Sequence, residues 1–102
     1  MTKEQAFATA RKYAQKTKQE FDPSAEIYLF GSAARDEMTE HSDIDIAVVS
    51  QKYQGNKIDN RAMLFMLAQE ISWDIEPHPF TLSDWKYSTP FTKAIRRDGI
   101  LL

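Results

Sequence analysis

Two aspartates separated by a single residue, Asp43 and Asp45, stand at the start of an apolar run. In a β-strand such residues project from the same face, with Cα atoms roughly 6.5–7 Å apart. Two carboxylates on one face repel each other unless a cation lies close to both. Mg²⁺ prefers oxygen ligands and is often held by one or two carboxylates together with substrate phosphates. The pair therefore indicates a Mg²⁺ site, although an edge strand facing solvent shows the same pattern.

A glycine-serine pair, Gly31-Ser32, follows a short run of branched and aromatic residues. Glycine permits a tight turn and a close approach of the backbone to a ligand. The backbone N–H groups that follow can bind an anion, the Ser32 hydroxyl can donate to a phosphate oxygen, and Arg35 adds a nearby cation. The same pair is also typical of an ordinary turn from a strand into a helix.

The elements that must position these residues alternate between helices and strands. Apolar periodicity, caps and breakers predict helices over 3–21, 59–70 and 90–97, strands over 26–30, 43–49 and 71–76, and short helical turns near 33–38 and 82–85. This order predicts an α/β or α+β fold, a small mixed β-sheet covered by helices. The length of 102 residues fits one domain over residues 1–102.

Composition excludes several classes of protein. The chain has no cysteine and therefore neither disulfides nor thiolate metal sites. A net charge of −2 does not favour direct binding of nucleic acid. No apolar run approaches the roughly 20 residues that span a bilayer. We expect a soluble, cytoplasmic protein without a membrane partner.

The segment 30–36, followed by 42–46, resembles the signature of the minimal nucleotidyltransferases of the DNA polymerase beta superfamily. That signature is G-S-x-A-x-G, five residues, and then S-D-x-D before an apolar strand. Asp36 stands where the family usually has its second glycine, and its negative charge would oppose a triphosphate. The positions that match are Gly31, Ser32, Ala34, Ser42, Asp43 and Asp45.

The resemblance implies a polymerase-beta-type fold with a third acid on the next strand. Glu76 is the favoured residue and Asp74 is the alternative. This carboxylate would accept the proton of an incoming hydroxyl while metal ions lower the pKa of that hydroxyl. His78 is a lesser candidate for the base, and packing against the neighbouring prolines is its simpler interpretation.

The resemblance further implies an enzyme that uses one or two Mg²⁺ ions to transfer a nucleoside monophosphate from ATP or another NTP to a hydroxyl, releasing pyrophosphate. Within the site, the glycine and serine would hold the β and γ phosphates. The implied metal ligands are Asp43, Asp45 and Glu76 or Asp74, and the implied nucleotide-binding residues are Gly31, Ser32, Arg35 and Ser42.

Such minimal domains are commonly encoded beside a small helical HEPN-domain protein, often an RNase toxin. The resemblance therefore implies an antitoxin that adenylylates its HEPN partner with ATP as donor. The alternative is a binding module that keeps the fold but neutralises its partner by contact alone. Small size and Asp36 favour this alternative.

Overall fold

A four-stranded sheet forms the framework of the protein. The computed structural model describes residues 1–35, 37–39, 41–53 and 58–102. Within them the strand order is β3-β2-β1-β4, with β1 antiparallel to β2 and β4, and β3 parallel to β2. The helices are α1 (Lys3–Glu20), α2 (Ile58–Ile71), α3 (Leu82–Lys86) and α4 (Pro90–Asp98), and the strands are β1 (Glu26–Phe30), β2 (Ile44–Val49), β3 (Ile75–Phe80) and β4 (Ile100–Leu101). The predicted mixed α/β architecture is confirmed.

The ends of the helices follow from local hydrogen bonding. At the start of α1, the Gln5 N–H donates to the Thr2 hydroxyl at 3.1 Å and the Thr2 N–H donates to the Gln5 side chain at 2.8 Å, which completes a capping box. Thr89 caps α4 in the same way, and Pro90 takes the first helical position. None of the helices in the described residues is long and apolar enough to cross a membrane.

The two faces of the sheet differ in chemistry. Successive residues of a strand point to opposite faces, so each face of the sheet collects alternate residues. One face is aliphatic and packs against α1 and α2. The opposite face is aromatic and packs against α3 and α4. The aliphatic face consists of Ile27, Leu29, Ile44, Ile46, Val48 and Ile75. The aromatic face consists of Tyr28, Phe30, Ala47 and Phe80, with Trp85 and Ile95 packed on it.

β3 begins and ends about four residues later in the chain than the sequence predicts. The expected strand over 71–76 is wrong in its bounds, because Ile71 still belongs to α2 and β3 spans Ile75–Phe80, across both Pro77 and Pro79. The prolines are tolerated because β3 is an edge strand. The backbone carbonyls of Asp74 and Phe80 accept hydrogen bonds from the N–H groups of Ile44 and Ser50, at the two ends of β2. The even-numbered residues of β3 therefore direct their backbone polar groups at β2, and the backbone nitrogens of both prolines point to the open edge.

Two smaller differences concern the ends of the sheet. The sequence predicts a short helical turn near 33–38, whereas residues 31–35 form turns and the described residues 37–39 belong to no helix. Ile100 and Leu101 pair with β1, with Leu101 opposite Tyr28, and form a fourth strand that the sequence pattern does not predict.

A buried carboxylate ties the end of α1 to the end of β2. Asp22 accepts hydrogen bonds from the Ser50 hydroxyl at 2.6 Å and from the Ser24 hydroxyl and N–H at 2.7 and 2.9 Å. Burial alone would raise the pKa of the Asp22 carboxyl, but these hydrogen bonds and the nearby Lys52 outweigh burial and hold the pKa below its ordinary value.

We expect Asp22→Asn to lower the free energy of unfolding by about 1.5–3 kcal/mol at pH 7, because the amide cannot accept all three hydrogen bonds. The depressed pKa makes this stabilisation complete above the ordinary aspartate pKa of roughly 3.9 and removes it as the pH falls through the folded value. Urea unfolding between pH 7 and pH 2.5 measures the effect, with the exposed Asp74→Asn as matched control. A difference between wild type and Asp22→Asn that does not shrink in acid would contradict this account.

Candidate active site

Asp45 lies near one end of the aromatic face of the sheet, on the interior strand β2. Strand pairing places it opposite Phe30 of β1 on one side and opposite Glu76 of β3 on the other. Because β2 and β3 run parallel in this register, the two carboxylates project from the same face of neighbouring strands. Asp45 is partly buried and Glu76 is exposed. One position of β2 thus meets both the end of β1 and the acid of β3.

Asp45, Glu76 and His78 form a group that can hold a metal ion. One ligand atom from each of the three side chains lies within 4.8 Å of the others. The Nε2 atom of His78 is 3.2 Å from Oδ1 of Asp45. Two carboxylates and an imidazole are a donor set that divalent cations accept, and a cation would relieve the repulsion between the acids. The residues present therefore fit a divalent cation.

The glycine of the Gly-Ser turn lies directly against Asp45. Gly31 has a φ of +73°, a left-handed conformation that favours glycine. A Cβ atom at this position would lie 2.5 Å from Oδ2 of Asp45, closer than real side chains approach. The turn continues with hydrogen bonds from the Arg35 N–H to the Gly31 carbonyl at 3.2 Å and from the Glu37 N–H to the Ser32 carbonyl at 2.8 Å. The turn and the acidic strand thus meet at this contact.

Two of the predicted acids lie beside this group. Asp43 precedes β2 and is exposed, and Asp74 precedes β3 and is also exposed. The Ile44 N–H donates to the Asp74 carbonyl at 2.7 Å, so these two acids flank the same end of the β2–β3 pair. In the part of the chain that the structure describes, neither aspartate belongs to a group of three ligating side chains.

The remaining predicted nucleotide-binding residues lie near the turn with partners of their own. Arg35 is exposed and pairs with Glu37 at 3.2 Å. The Ser42 hydroxyl accepts a hydrogen bond from the Thr39 N–H at 2.9 Å, which closes the loop before β2. Asp36, predicted to stand in the phosphate loop, lies outside the described residues.

Phe91 separates two shallow grooves that flank the acidic group. One groove, of about 260 Å³, is lined by Glu76 and His78 together with Arg61 of α2. The other, of about 170 Å³, is lined by Gly31 and Arg35. Phe91 contributes to both and is 48% exposed. The site is thus open on both sides, with a separate approach to the glycine turn and to the acid of β3.

Three residues at the site, His78, Arg61 and Phe91, have no leading role in the sequence-based prediction. For His78 a signal existed: had β3 been extended through its prolines, the i, i+2 rule would have placed this histidine on the face of Glu76. Phe91 follows a helix cap and resembles any core aromatic in sequence. Arg61 is one of several basic residues on a helix, and no sequence pattern distinguishes it.

Comparison with known proteins finds a matching family and a similar solved structure. A family model described as a nucleotidyltransferase domain matches residues 10–92. The fold is similar to the crystal structure of a candidate nucleotidyltransferase from Sulfolobus solfataricus, which is 20% identical, with coverage of 97% of this chain and 80% of that chain and a TM-score of 0.67. No curated protein matches the sequence.

We expect Gly31→Ala to destabilise the protein for two separable reasons. The left-handed backbone costs an alanine about 1–2 kcal/mol, and the methyl group adds a clash with the Asp45 carboxylate. In an Asp45→Ala background the carboxylate is gone, so the same change should cost less. Urea unfolding of the wild type, both single variants and the double variant gives the coupling directly.

An equal cost of Gly31→Ala in the two backgrounds would mean that the Asp45 carboxylate does not crowd position 31. This double-mutant cycle uses free energies of unfolding to test whether the turn at Gly31 contacts Asp45 of β2. It needs neither a nucleotide nor a metal ion, and its result does not depend on any assumption about activity.

Proposed function

We propose, starting from the fact that this chain belongs to the nucleotidyltransferase domain family, that it transfers AMP from ATP to a hydroxyl group of a partner protein. The observation that carries the proposal is the contact between Gly31 and Asp45, with Glu76 and His78 on the far side of the same carboxylate. A backbone turn suited to phosphate and a group suited to a cation thereby share one centre.

The acids give the site its affinity for Mg²⁺ with a nucleotide. Asp45 and Glu76 would hold the cation, with Asp43 adjoining them at the start of β2. A bound Mg²⁺ neutralises charge on the triphosphate and lowers the pKa of the incoming hydroxyl. Without a cation, three carboxylates at one end of the sheet would repel a polyanion. We therefore expect nucleotide binding to depend on the divalent ion.

The turn after β1 is suited to the phosphates that leave. Gly31 has no side chain, so the turn can lie directly against the Asp45 carboxylate and hold the residues that follow beside the acids. The Ser32 hydroxyl and the N–H groups of the turn are donors for the β and γ phosphates. Arg35 lines the adjoining groove and can exchange its exposed partner Glu37 for a phosphate oxygen.

The chemical step is an in-line displacement at the α phosphorus. The acceptor oxygen forms a bond to this phosphorus, the bond to the bridging oxygen breaks, and pyrophosphate leaves with the electron pair. Glu76 is the group placed to take the acceptor's proton, because it is exposed and lines the groove on the opposite side of Phe91 from the turn. The two grooves thus match a nucleotide side and an acceptor side.

Exposed aromatic residues beside the site support a protein as acceptor. Phe91, which packs edge-on against Phe30 on the face that carries Asp45, is 48% exposed, and Tyr87, at the end of α3, is 71% exposed. Open apolar surface next to a polar centre is typical of an interface. A small helical protein of the HEPN type, acting as a toxin that this chain inactivates, is the partner we propose.

We expect the purified chain, given ATP radiolabelled at the α phosphate and Mg²⁺, to label its co-purified helical partner. Asp43→Asn combined with Asp45→Asn should abolish labelling, because the site then loses two negative charges that the cation requires. Labelling that survives this double change would refute the metal assignment. Binding of the partner without any Mg²⁺-dependent affinity for ATP in a calorimetric titration would instead identify a module that acts by contact alone.

Glu76 and Asp74 provide a matched pair for the third carboxylate. We expect Glu76→Gln to lower the labelling rate by about 10²-fold or more, because it removes a cation ligand and the proton acceptor together. Asp74→Asn should change the rate by less than about threefold, since that residue lies outside the ligating group. The reverse order of the two effects would assign the role to Asp74.

A further inference from the structure

The two oxygens of the Asp45 carboxylate face different chemistry. Oδ1 lies 3.2 Å from Nε2 of His78, on the side of β3. Oδ2 faces Gly31, at 2.5 Å from the position that a Cβ atom there would occupy. One carboxylate can bridge two metal ions about 3.5–4 Å apart in phosphoryl-transfer sites. Here the two oxygens are not equivalent, because among the described residues a group with a nitrogen donor, His78, lies on the Oδ1 side.

We propose that His78 is a metal ligand, and that it makes the position shared by Asp45 Oδ1 and Glu76 selective for Mn²⁺ over Mg²⁺. The Gly31 side of the carboxylate adjoins no further ligating group in the described residues and would take Mg²⁺ together with oxygens of the nucleotide. This inference rests on the proposed function, since it assigns the identity of one cation at the proposed site. It concerns the chain's own donors and can be tested without catalysis.

The distance between His78 and Asp45 suits two ligands of one ion. An octahedral cation with ligands at about 2.1 Å places neighbouring ligand atoms about 3.0 Å apart. The observed separation of 3.2 Å between Nε2 and Oδ1 is close to this value. It is also a normal hydrogen-bond distance, so the same arrangement serves with and without the ion. A carboxylate oxygen of Glu76 lies within 4.8 Å of both atoms and can be the third ligand.

The surroundings of His78 hold its ring in this orientation. Strand pairing sets Ala47 opposite His78, and the small alanine leaves room for the imidazole to reach diagonally to Asp45. The ring packs edge-on against Phe30 at 5.0 Å and against Phe91 at 6.1 Å between centroids. Nε2 therefore stays directed at the acids, which is the preorganisation that a metal ligand requires.

A nitrogen donor changes the preference of the site. Mg²⁺ favours oxygen ligands, whereas imidazole favours transition-metal ions, and Mn²⁺ accepts both nitrogen and oxygen in octahedral geometry. We therefore expect Mn²⁺ to bind the free protein through Asp45, Glu76 and His78 before any nucleotide is present. Mg²⁺ should bind the same position much more weakly.

The test is Mn²⁺ binding to the untagged full chain without nucleotide, followed by electron paramagnetic resonance. Loss of the free-ion signal gives the Kd, and electron spin-echo modulation reports coupling to a ligand nitrogen. The wild type should show nitrogen coupling. His78→Gln should abolish the coupling and raise the Kd for Mn²⁺ by about tenfold or more, while the Kd for Mg²⁺, measured by competition, changes by less than about threefold.

The chain has only two histidines, so His41→Gln is a complete matched control. It should keep both the coupling and the affinity. His78→Asn provides a second variant, and thermal unfolding of both variants checks that the fold is retained. Mn²⁺ bound without nitrogen coupling in the wild type, or equal losses for Mn²⁺ and Mg²⁺ in His78→Gln, overturns the inference and leaves the proposed function intact. Absence of any divalent-ion binding that depends on Asp45, with or without ATP, overturns both.

Discussion

The site depends on the close approach between the backbone at Gly31 and the carboxylate of Asp45. A peptide unit in a left-handed turn and a negatively charged side chain can be this close only if no Cβ intervenes. The antiparallel pairing of Phe30 with Asp45 sets this approach, because the turn begins at the residue that follows Phe30. The parallel pairing of Asp45 with Glu76 then brings the next acid alongside. Two strand registers, one on each side of β2, thus fix the geometry of the whole centre.

The two faces of the sheet differ in how completely the helices cover them. The aliphatic face is closed by α1 and α2 and contains most of the fully buried side chains. The aromatic face is only partly covered, because α3 and α4 are short and leave Phe91 half exposed above the acids. Charged groups are costly to bury but acceptable at such a margin, where solvent reaches one side. The position of the site at the edge of the smaller core follows from this cost.

Much of this arrangement could be predicted from local sequence. The G-S and D-x-D segments predict the nucleotidyltransferase family, which is confirmed. The branched and aromatic residues of β1 and the alternation at the start of β2 locate those strands to within a residue. The predicted bounds of the third strand are wrong because proline is a poor residue for a central strand. An edge strand such as β3 uses only every second N–H for pairing, so prolines at the alternate positions are tolerated. That error also concealed the proximity of His78 to Asp45. Pairing between distant segments, such as β4 with β1, depends on tertiary packing that no local pattern encodes.

The outward direction of Pro77 and Pro79 affects how this protein can associate with others. The exposed edge of a sheet normally presents unpaired N–H groups, and another chain can pair with them. Such pairing can start fibrillar aggregation. Along β3 the row of N–H groups is interrupted at two of its positions. The edge that carries Glu76 is thereby poorly suited to sheet extension, so any protein that docks there would have to do so through side chains. Self-association by this route is disfavoured even when the protein is concentrated.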